Sequence, residues 1–68
     1  MKPNTDALQK LLKSDFGDNK AAFAAAIGIT RGQISRIINK GEGAGAHFFG
    51  GLITYCDGKG IDFRKYIF

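Results

Sequence analysis

The segment from Gly28 to Gly41, GITRGQISRIINKG, carries an isoleucine at every third or fourth position through its centre. Ile34, Ile37 and Ile38 would share one face of an α-helix, because side chains three and four residues apart are neighbours there. The other positions of this segment are mostly polar or basic, and none is acidic. The segment therefore predicts a helix with one buried face and one exposed face that lacks negative charge.

A second helical pattern, KAAFAAAIG, comes directly before this segment. Alanine has the highest helix propensity, and Phe23 and Ile27 are four residues apart on the face that we expect to be buried. Gly28 is expected to adopt the left-handed conformation that ends this helix, and Thr30 is a good N-cap for the next helix. The sequence thus predicts two short helices joined by a tight turn.

Further helices are predicted on both sides of this pair. Residues 4–17 form the first, with Asn4 or Thr5 as its N-cap and Gly17 at its end. Its expected core positions are Leu8, Leu11, Leu12 and Phe16. HFFGGLITYC reads as a fourth helix with an apolar face formed by Phe48, Phe49, Leu52, Ile53 and Cys56. Gly50 and Gly51 inside it either permit close helix packing or mark a later helix start.

The intervening and final segments are less regular. GEGAGA is interpreted as a connector whose glycines adopt positive φ angles, since it lacks the Lys-Ser/Thr ending and the preceding strand of a phosphate-binding loop. DGKG is expected to be a turn. In IDFRKYIF, Asp62 favours a short fifth helix that buries Phe63, Tyr66 and Ile67, and an edge strand starting at Ile61 is the alternative.

The net charge of +4 comes entirely from residues 19–41. Residues 1–18 carry three lysines and three aspartates, and residues 42–68 carry three basic and three acidic residues. The middle segment has four basic residues and no acid: Lys20, Arg31, Arg36 and Lys40. Because protein surfaces usually mix both signs, an acid-free segment of this length indicates a polyanionic partner.

Length and residue types argue against several other classes of protein. Sixty-eight residues suffice for one small domain, 1–68. Cys56 and His47 are the only cysteine and the only histidine, so neither a metal site nor a cysteine–histidine catalytic pair is expected, and no cofactor is implied. Cys56 is interpreted as a small buried apolar residue and His47 as a packing or helix-start residue. No apolar run is long enough to cross a bilayer, and no signal peptide is evident, so we expect a cytoplasmic protein that is not an enzyme.

Residues 20–39 closely resemble the twenty-residue helix-turn-helix of the lambda-repressor and Cro family. The likeness is carried by Ala24 in the middle of the first helix, Gly28 in the turn, and the pattern glycine, apolar, Thr/Ser, variable, ISRI, Asn, Gly. It extends over residues 5–56 and is strongest over 20–41. The resemblance implies an all-α domain of four or five helices, with the helix-turn-helix at helices 2 and 3.

The resemblance also implies roles for individual residues. In this family the second motif helix lies in the major groove and reads bases from its first turns. The corresponding base-reading positions are Thr30, Arg31, Gly32, Gln33, Ser35 and Arg36. Guanine suits Arg31 and Arg36, because its O6 and N7 accept a bidentate guanidinium, and Gln33 suits adenine or a phosphate. The expected phosphate contacts are Lys20, Asn39 and Lys40. Gly32 departs from the family, since this position often carries a base-reading side chain.

The expected function is therefore sequence-specific binding of double-stranded DNA by a transcriptional regulator, with small Cro-type phage or prophage repressors as the nearest kind. A module of this size makes few base contacts, so we expect a homodimer on a palindromic operator. The alternative is a protein-interaction module, such as an antitoxin whose basic helix binds an acidic protein.

Aromatic residues are concentrated in the last 21 positions of the chain, and this suggests where a dimer would form. They are Phe48, Phe49, Tyr55, Phe63, Tyr66 and Phe68. A small core around the motif is not expected to cover so many rings, and exposed apolar patches mark association surfaces. We therefore expect an isologous interface built from these six residues, the alternative being that the rings complete the monomer's own core.

Overall fold

Three of the four α-helices begin after a residue whose side chain accepts a hydrogen bond from a backbone N–H group of the first turn. In the computed structural model, which describes residues 1–68, helix α1 (Thr5–Phe16) is capped by Asn4 and helix α2 (Lys20–Ile27) by Asn19. Helix α3 (Arg31–Lys40) is capped by Thr30. Helix α4 (Ala46–Lys59) follows Gly45 and has no side-chain cap. The order of the helices predicted from the sequence is confirmed, and the bounds of the first three are close to the predicted ones.

A left-handed glycine ends each of these helices, because glycine adopts positive φ without steric cost. Gly28 has φ of 90°, and its backbone N–H donates to Ala24 O at 2.8 Å. Only Gly28, Ile29 and Thr30 separate α2 from α3, so the chain reverses within three residues. This short link fixes the position of α3 relative to α2.

Thirteen residues from all four helices form one hydrophobic core, and no polar or charged residue is buried with them. They are Leu8, Leu11, Leu12, Phe23, Ala24, Ile27, Ile34, Ile37, Ile38, Phe48, Phe49, Leu52 and Cys56. Ile53, which the sequence placed on the buried face of α4, is only half-buried. Phe16, expected in the core, is half-buried and stacks on Phe23 with ring centroids 5.0 Å apart. The chain is therefore a small all-helical domain without strands.

The C-terminal part departs from the sequence prediction in two respects, the length of α4 and the burial of Phe63, Tyr66 and Ile67, which are half-buried rather than buried. DGKG is not a turn, because α4 continues through Asp57 and Gly58 to Lys59 and ends at Gly60. The favoured short fifth helix is present as a 3₁₀ helix (Phe63–Tyr66), and Asp62 Oδ1 accepts from Arg64 N at 3.0 Å as expected of its cap. The extended backbone that follows forms a single antiparallel bridge between Ile67 and Pro3. GEGAGA is a connector as predicted, with Gly43 at φ of 84°.

The monomer itself covers most of the C-terminal aromatic rings, so the expectation that a small core cannot do so is wrong. Phe48 and Phe49 are buried in the core and are unavailable to a partner. Tyr55 is half-buried, and its hydroxyl donates to Asp15 Oδ2 at 2.8 Å. Burial and this hydrogen bond raise the pKa of Tyr55 to about 12, so the phenol keeps its proton. Phe63 and Tyr66 pack against the core at its edge, and only Phe68, 79% exposed, points into solvent.

Helix α4 packs against α2 at a glycine. A Cβ atom at Gly51 would overlap the backbone carbonyl of Ile27, whereas a Cβ at the neighbouring Gly50 would meet nothing within 4 Å. Of the two readings of this glycine pair, close helix packing is confirmed for Gly51, and α4 does not start after the pair. Gly51 thus sets the distance between α4 and the end of α2.

We predict that Gly51→Ala and Gly50→Ala change stability in opposite directions. Gly51→Ala forces α2 and α4 apart and should cost about 1–3 kcal/mol, as overpacking does. Gly50→Ala should stabilise the protein by up to about 1 kcal/mol, because alanine is the better helix former. Chemical denaturation of the two variants beside the unaltered protein measures both. Equal effects of the two substitutions would contradict the close approach of α4 to Ile27.

Candidate functional site

Burial of three isoleucines orients α3. Ile34, Ile37 and Ile38 lie at most 3% exposed against the rest of the core, so the opposite side of the helix faces solvent. Positions three and four residues apart share a face, which places Gly32, Ser35, Arg36 and Asn39 along the outward side. Arg31, Gln33 and Lys40 flank them and are also exposed. Of the α3 residues that the sequence predicts to contact DNA, Ser35 alone is half-buried.

The N-terminal end of α3 is held by a reciprocal cap. Thr30 Oγ1 accepts from Gln33 N at 3.2 Å, and Gln33 Oε1 accepts from Thr30 N at 2.9 Å and from Thr30 Oγ1 at 3.2 Å. Two backbone donors of the first turn are thereby satisfied. The amide oxygen of Gln33 is engaged, and only its NH₂ group is free to donate to a ligand.

Arg36, in the middle of the outward face, has an acidic neighbour that lies outside the acid-free segment. Its Nη2 is 3.6 Å from Glu42 Oε2, and both side chains are more than 60% exposed. An exposed pair of this kind contributes only about 0–1 kcal/mol to stability. Glu42 therefore leaves Arg36 available to a ligand but lowers the positive potential around it. Sequence reasoning missed this pair, since a charge count by segment says nothing about which loop residue folds back.

The remaining cations of the segment have no acidic partner. Lys20 is the half-buried first residue of α2, while Arg31 and Lys40 lie at the two ends of α3. None of the three takes part in a salt bridge, and the second ion pair of the protein joins Arg64 to Asp62 near the C-terminal end of the chain. Asn39 Nδ2 donates to Ser35 Oγ at 3.2 Å, which aligns these two side chains along the helix. The outward face is thus a polar and positively charged surface.

Gly32 leaves a gap in the side chains of this face. Its φ is not positive, and a Cβ placed there would have only Thr30 Oγ1 nearby, at 4.0 Å. Neither backbone conformation nor packing within the protein requires glycine here, although glycine costs up to about 1 kcal/mol relative to alanine inside a helix. The bare backbone at Gly32 lets another molecule approach α3 more closely than any side chain would.

The turn between α2 and α3 is supported from α4. His47 Nε2 lies 3.0 Å from the backbone oxygen of Gly28, so the ring donates from Nε2 to the turn. The interpretation of His47 as a packing or helix-start residue agrees with this contact. The sequence contained no signal for the partner, because the two residues are 19 positions apart.

The single cysteine is remote from this surface. Cys56 is fully buried, as interpreted from the sequence, and burial raises the pKa of its thiol. A protonated and inaccessible thiol is a poor nucleophile.

No three side chains of the metal-ligating types lie together. None of the helices is both long enough and apolar enough to span a membrane.

A scan against protein-family models, a search of curated proteins and a search of solved structures found no match to this chain. The geometry of α3 and its surroundings is therefore the basis for the proposal below.

We predict that Glu42→Gln strengthens binding to a polyanion. Removing the carboxylate frees the Arg36 guanidinium and raises the local positive potential, so affinity for random-sequence duplex DNA should rise by up to about fivefold, the equivalent of about 1 kcal/mol. Fluorescence anisotropy at fixed salt measures this. Asp57→Asn, which removes an exposed acid on α4, is the matched control and should have a smaller effect. A weaker or unchanged affinity of Glu42→Gln would show that Arg36 lies outside the binding surface.

Proposed function

We propose that this protein is a sequence-specific double-stranded DNA-binding transcriptional regulator, acting as a Cro-like repressor. In this proposal α2 and α3 are a helix-turn-helix, and α3 lies in the major groove. The observation that carries it is the outward face of α3, which is exposed, acid-free and rich in groups that recognise bases, and which follows a three-residue turn from α2.

Three features of the helix pair support this assignment. The motif needs a tight reversal, and Gly28 is left-handed in a three-residue turn. It needs close contact between its helices, and Ala24 in the middle of α2 is 2% exposed. It needs a second helix that is anchored on one side and hydrophilic on the other, and the buried isoleucines of α3 provide the anchor. An α-helix of this kind fits the major groove of B-DNA.

The exposed residues of α3 suit distinct contacts. Arg31 and Arg36 carry planar guanidinium groups that match O6 and N7 of guanine. Gln33 donates its NH₂ to a base or phosphate while its oxygen stays in the cap, so bidentate reading of adenine requires that the cap opens. Thr30 and Ser35 are in reach of the same groove as smaller hydroxyl contacts. Lys20, Asn39 and Lys40 are proposed to hold phosphates on either side.

A homodimer remains part of the proposal, with a smaller surface than the sequence indicated. A palindromic operator read by two copies would place the recognition helices about 34–36 Å apart. Phe48 and Phe49 are in the core, so the contact would use Phe68, which is exposed, together with the edges of Tyr55, Phe63 and Tyr66. This surface is small, and we expect the dimer to form on the operator rather than in free solution.

Selection of bound sequences from a pool of random duplexes tests the proposed function directly. A sequence-specific regulator yields a defined site, and a two-fold dimer yields a palindrome. Binding to unselected duplex should fall steeply as salt increases. Binding releases counterions from the phosphates, and this release is less favourable at a high salt concentration. Failure to enrich any sequence, together with salt-independent or absent duplex binding, would overturn the proposal and favour a module that binds an acidic protein.

We predict that Arg36→Ala weakens binding to the selected site by about 1–3 kcal/mol and weakens binding to random duplex much less. The reason is that a bidentate contact with guanine is lost only where that guanine is present. Arg64→Ala, which removes an exposed arginine of the tail, is the control and should leave the difference between the two DNAs unchanged. Equal losses on both DNAs would make Arg36 a phosphate contact.

We predict that Gly32→Ala separates stability from binding. The substitution should stabilise the free protein by up to about 1 kcal/mol, since alanine favours the helix and its methyl group meets open space. It should weaken binding to the selected site, because the methyl group stands between the α3 backbone and the DNA. Gly50→Ala is the control, expected to stabilise with no change in binding. A Gly32→Ala protein that binds as tightly as the unaltered protein would exclude close approach at this position.

A further inference from the structure

The N-terminal segment and the end of α3 border an open groove of about 530 Å³. Lys2 and Thr5 lie on one side of it, and Asn39 and Lys40 lie on the other. Phe68 is its only large apolar lining residue, and no acidic side chain lines it. The groove therefore contains two basic side chains and no acidic one.

Backbone contacts hold Lys2 in this position. Its carbonyl oxygen accepts from Phe68 N at 2.8 Å, and Asn4 N donates to Tyr66 O at 2.8 Å on the other side of the bridge between Pro3 and Ile67. The start of α1 is close to the end of α3, because a Cβ atom at Gly41 would lie 3.8 Å from the methyl carbon of Thr5. The main chain of Lys2 is thus anchored beside α3 rather than free to move.

The electrostatics of the groove favour an anion. Neither Lys2 nor Lys40 takes part in a salt bridge, so both charges are uncompensated. The carbonyl end of α3 carries a partial negative charge of about one half, which two lysines exceed. The second groove of the protein differs in this respect, because its two lysines, Lys10 and Lys13, share it with Asp6.

We propose that Lys2 and Lys40 together bind a backbone phosphate of the DNA strand that borders the C-terminal end of α3. This inference rests on the proposed function, which it extends to a residue outside the motif. The groove is continuous with the outward face of α3 through Asn39, so a strand that contacts Asn39 and Lys40 passes Lys2 as well. Thr5 has no hydrogen-bond partner for its hydroxyl among the protein's side-chain bonds, and this hydroxyl is a further donor to the same phosphate.

Phe68 at the edge of the groove belongs to the proposed dimer contact, but a second copy of the chain is a less suitable occupant of the space between Lys2 and Lys40. An isologous contact places one patch on its own copy, so residues of the same charge are brought together. Two lysines without an acidic side chain would repel their counterparts in such a contact. A phosphate backbone neutralises them, and each neutralised phosphate releases a counterion.

The decisive measurement is the slope of log affinity against log salt for random duplex DNA, for the full chain and for Lys2→Gln. Loss of one phosphate contact should reduce the slope by about 0.9, so the fall in affinity between 50 and 200 mM salt becomes about 3.5-fold smaller. Lys10→Gln has the same charge change in the groove that contains Asp6, and its slope should be unaltered. Lys2→Gln combined with Lys40→Gln should lose less than the sum of the two single losses, because the two residues share one phosphate.

Each outcome separates this site from the function on which it rests. If the unaltered chain shows no salt-dependent duplex binding, the proposed function and the phosphate site both fail. If it binds, and Lys2→Gln has the slope of the unaltered chain or of Lys10→Gln, only the phosphate site is overturned. Sedimentation equilibrium without DNA adds a third outcome. A stable dimer of the free protein that Lys2→Gln strengthens would assign the groove to a second copy instead.

Discussion

Burial of Ile34, Ile37 and Ile38 links the packing of this domain to the surface that α3 exposes. These side chains anchor α3 in the core, and every polar group of the helix is thereby turned outward. Because the turn from α2 has only three residues, the same burial also fixes where α3 begins. One set of apolar contacts thus holds the fold together and presents Arg31, Gly32 and Arg36 as a surface.

The core is small, and the helix caps and terminal glycines help to fix where each helix begins and ends. Each helix ends at a glycine with positive φ, and three of the four begin at a side-chain cap. Gly51 brings α4 against the last residue of α2, and His47 at the start of α4 reaches the turn carbonyl of Gly28. The link between α2 and α3 is therefore held from a third helix as well as by its own residues. The proposed recognition surface would benefit from such support, since misplacement of α3 would move all of its exposed side chains together.

The distribution of charge on the folded surface differs from the distribution of charge along the sequence. Residues 19–41 form an acid-free segment, but Glu42 folds back to within 3.6 Å of Arg36 and reduces the potential at its centre. In the opposite sense, Lys2 belongs to a segment with no net charge and yet lines the same groove as Lys40. The basic residues of the surface consequently include Lys2 beyond the acid-free segment, while Arg36 within it is paired with an acid.

The sequence alone predicted the order of the four helices, the caps Asn4 and Thr30, the terminal glycines Gly17 and Gly28, and the exposed face of α3, because these depend on residues at most a turn or two apart. It overestimated the exposed aromatic surface, since burial of Phe48 and Phe49 depends on distant helices. It also ended α4 too early, because Gly58 within DGKG is tolerated inside the last helical turn. Three features follow from the tertiary structure alone: the pairing of Arg36 with Glu42, the contact of His47 with Gly28, and the placement of Lys2 and Lys40 around one groove. Such contacts join side chains and loops whose approach is set by the packing of whole helices, and local sequence patterns do not contain that information.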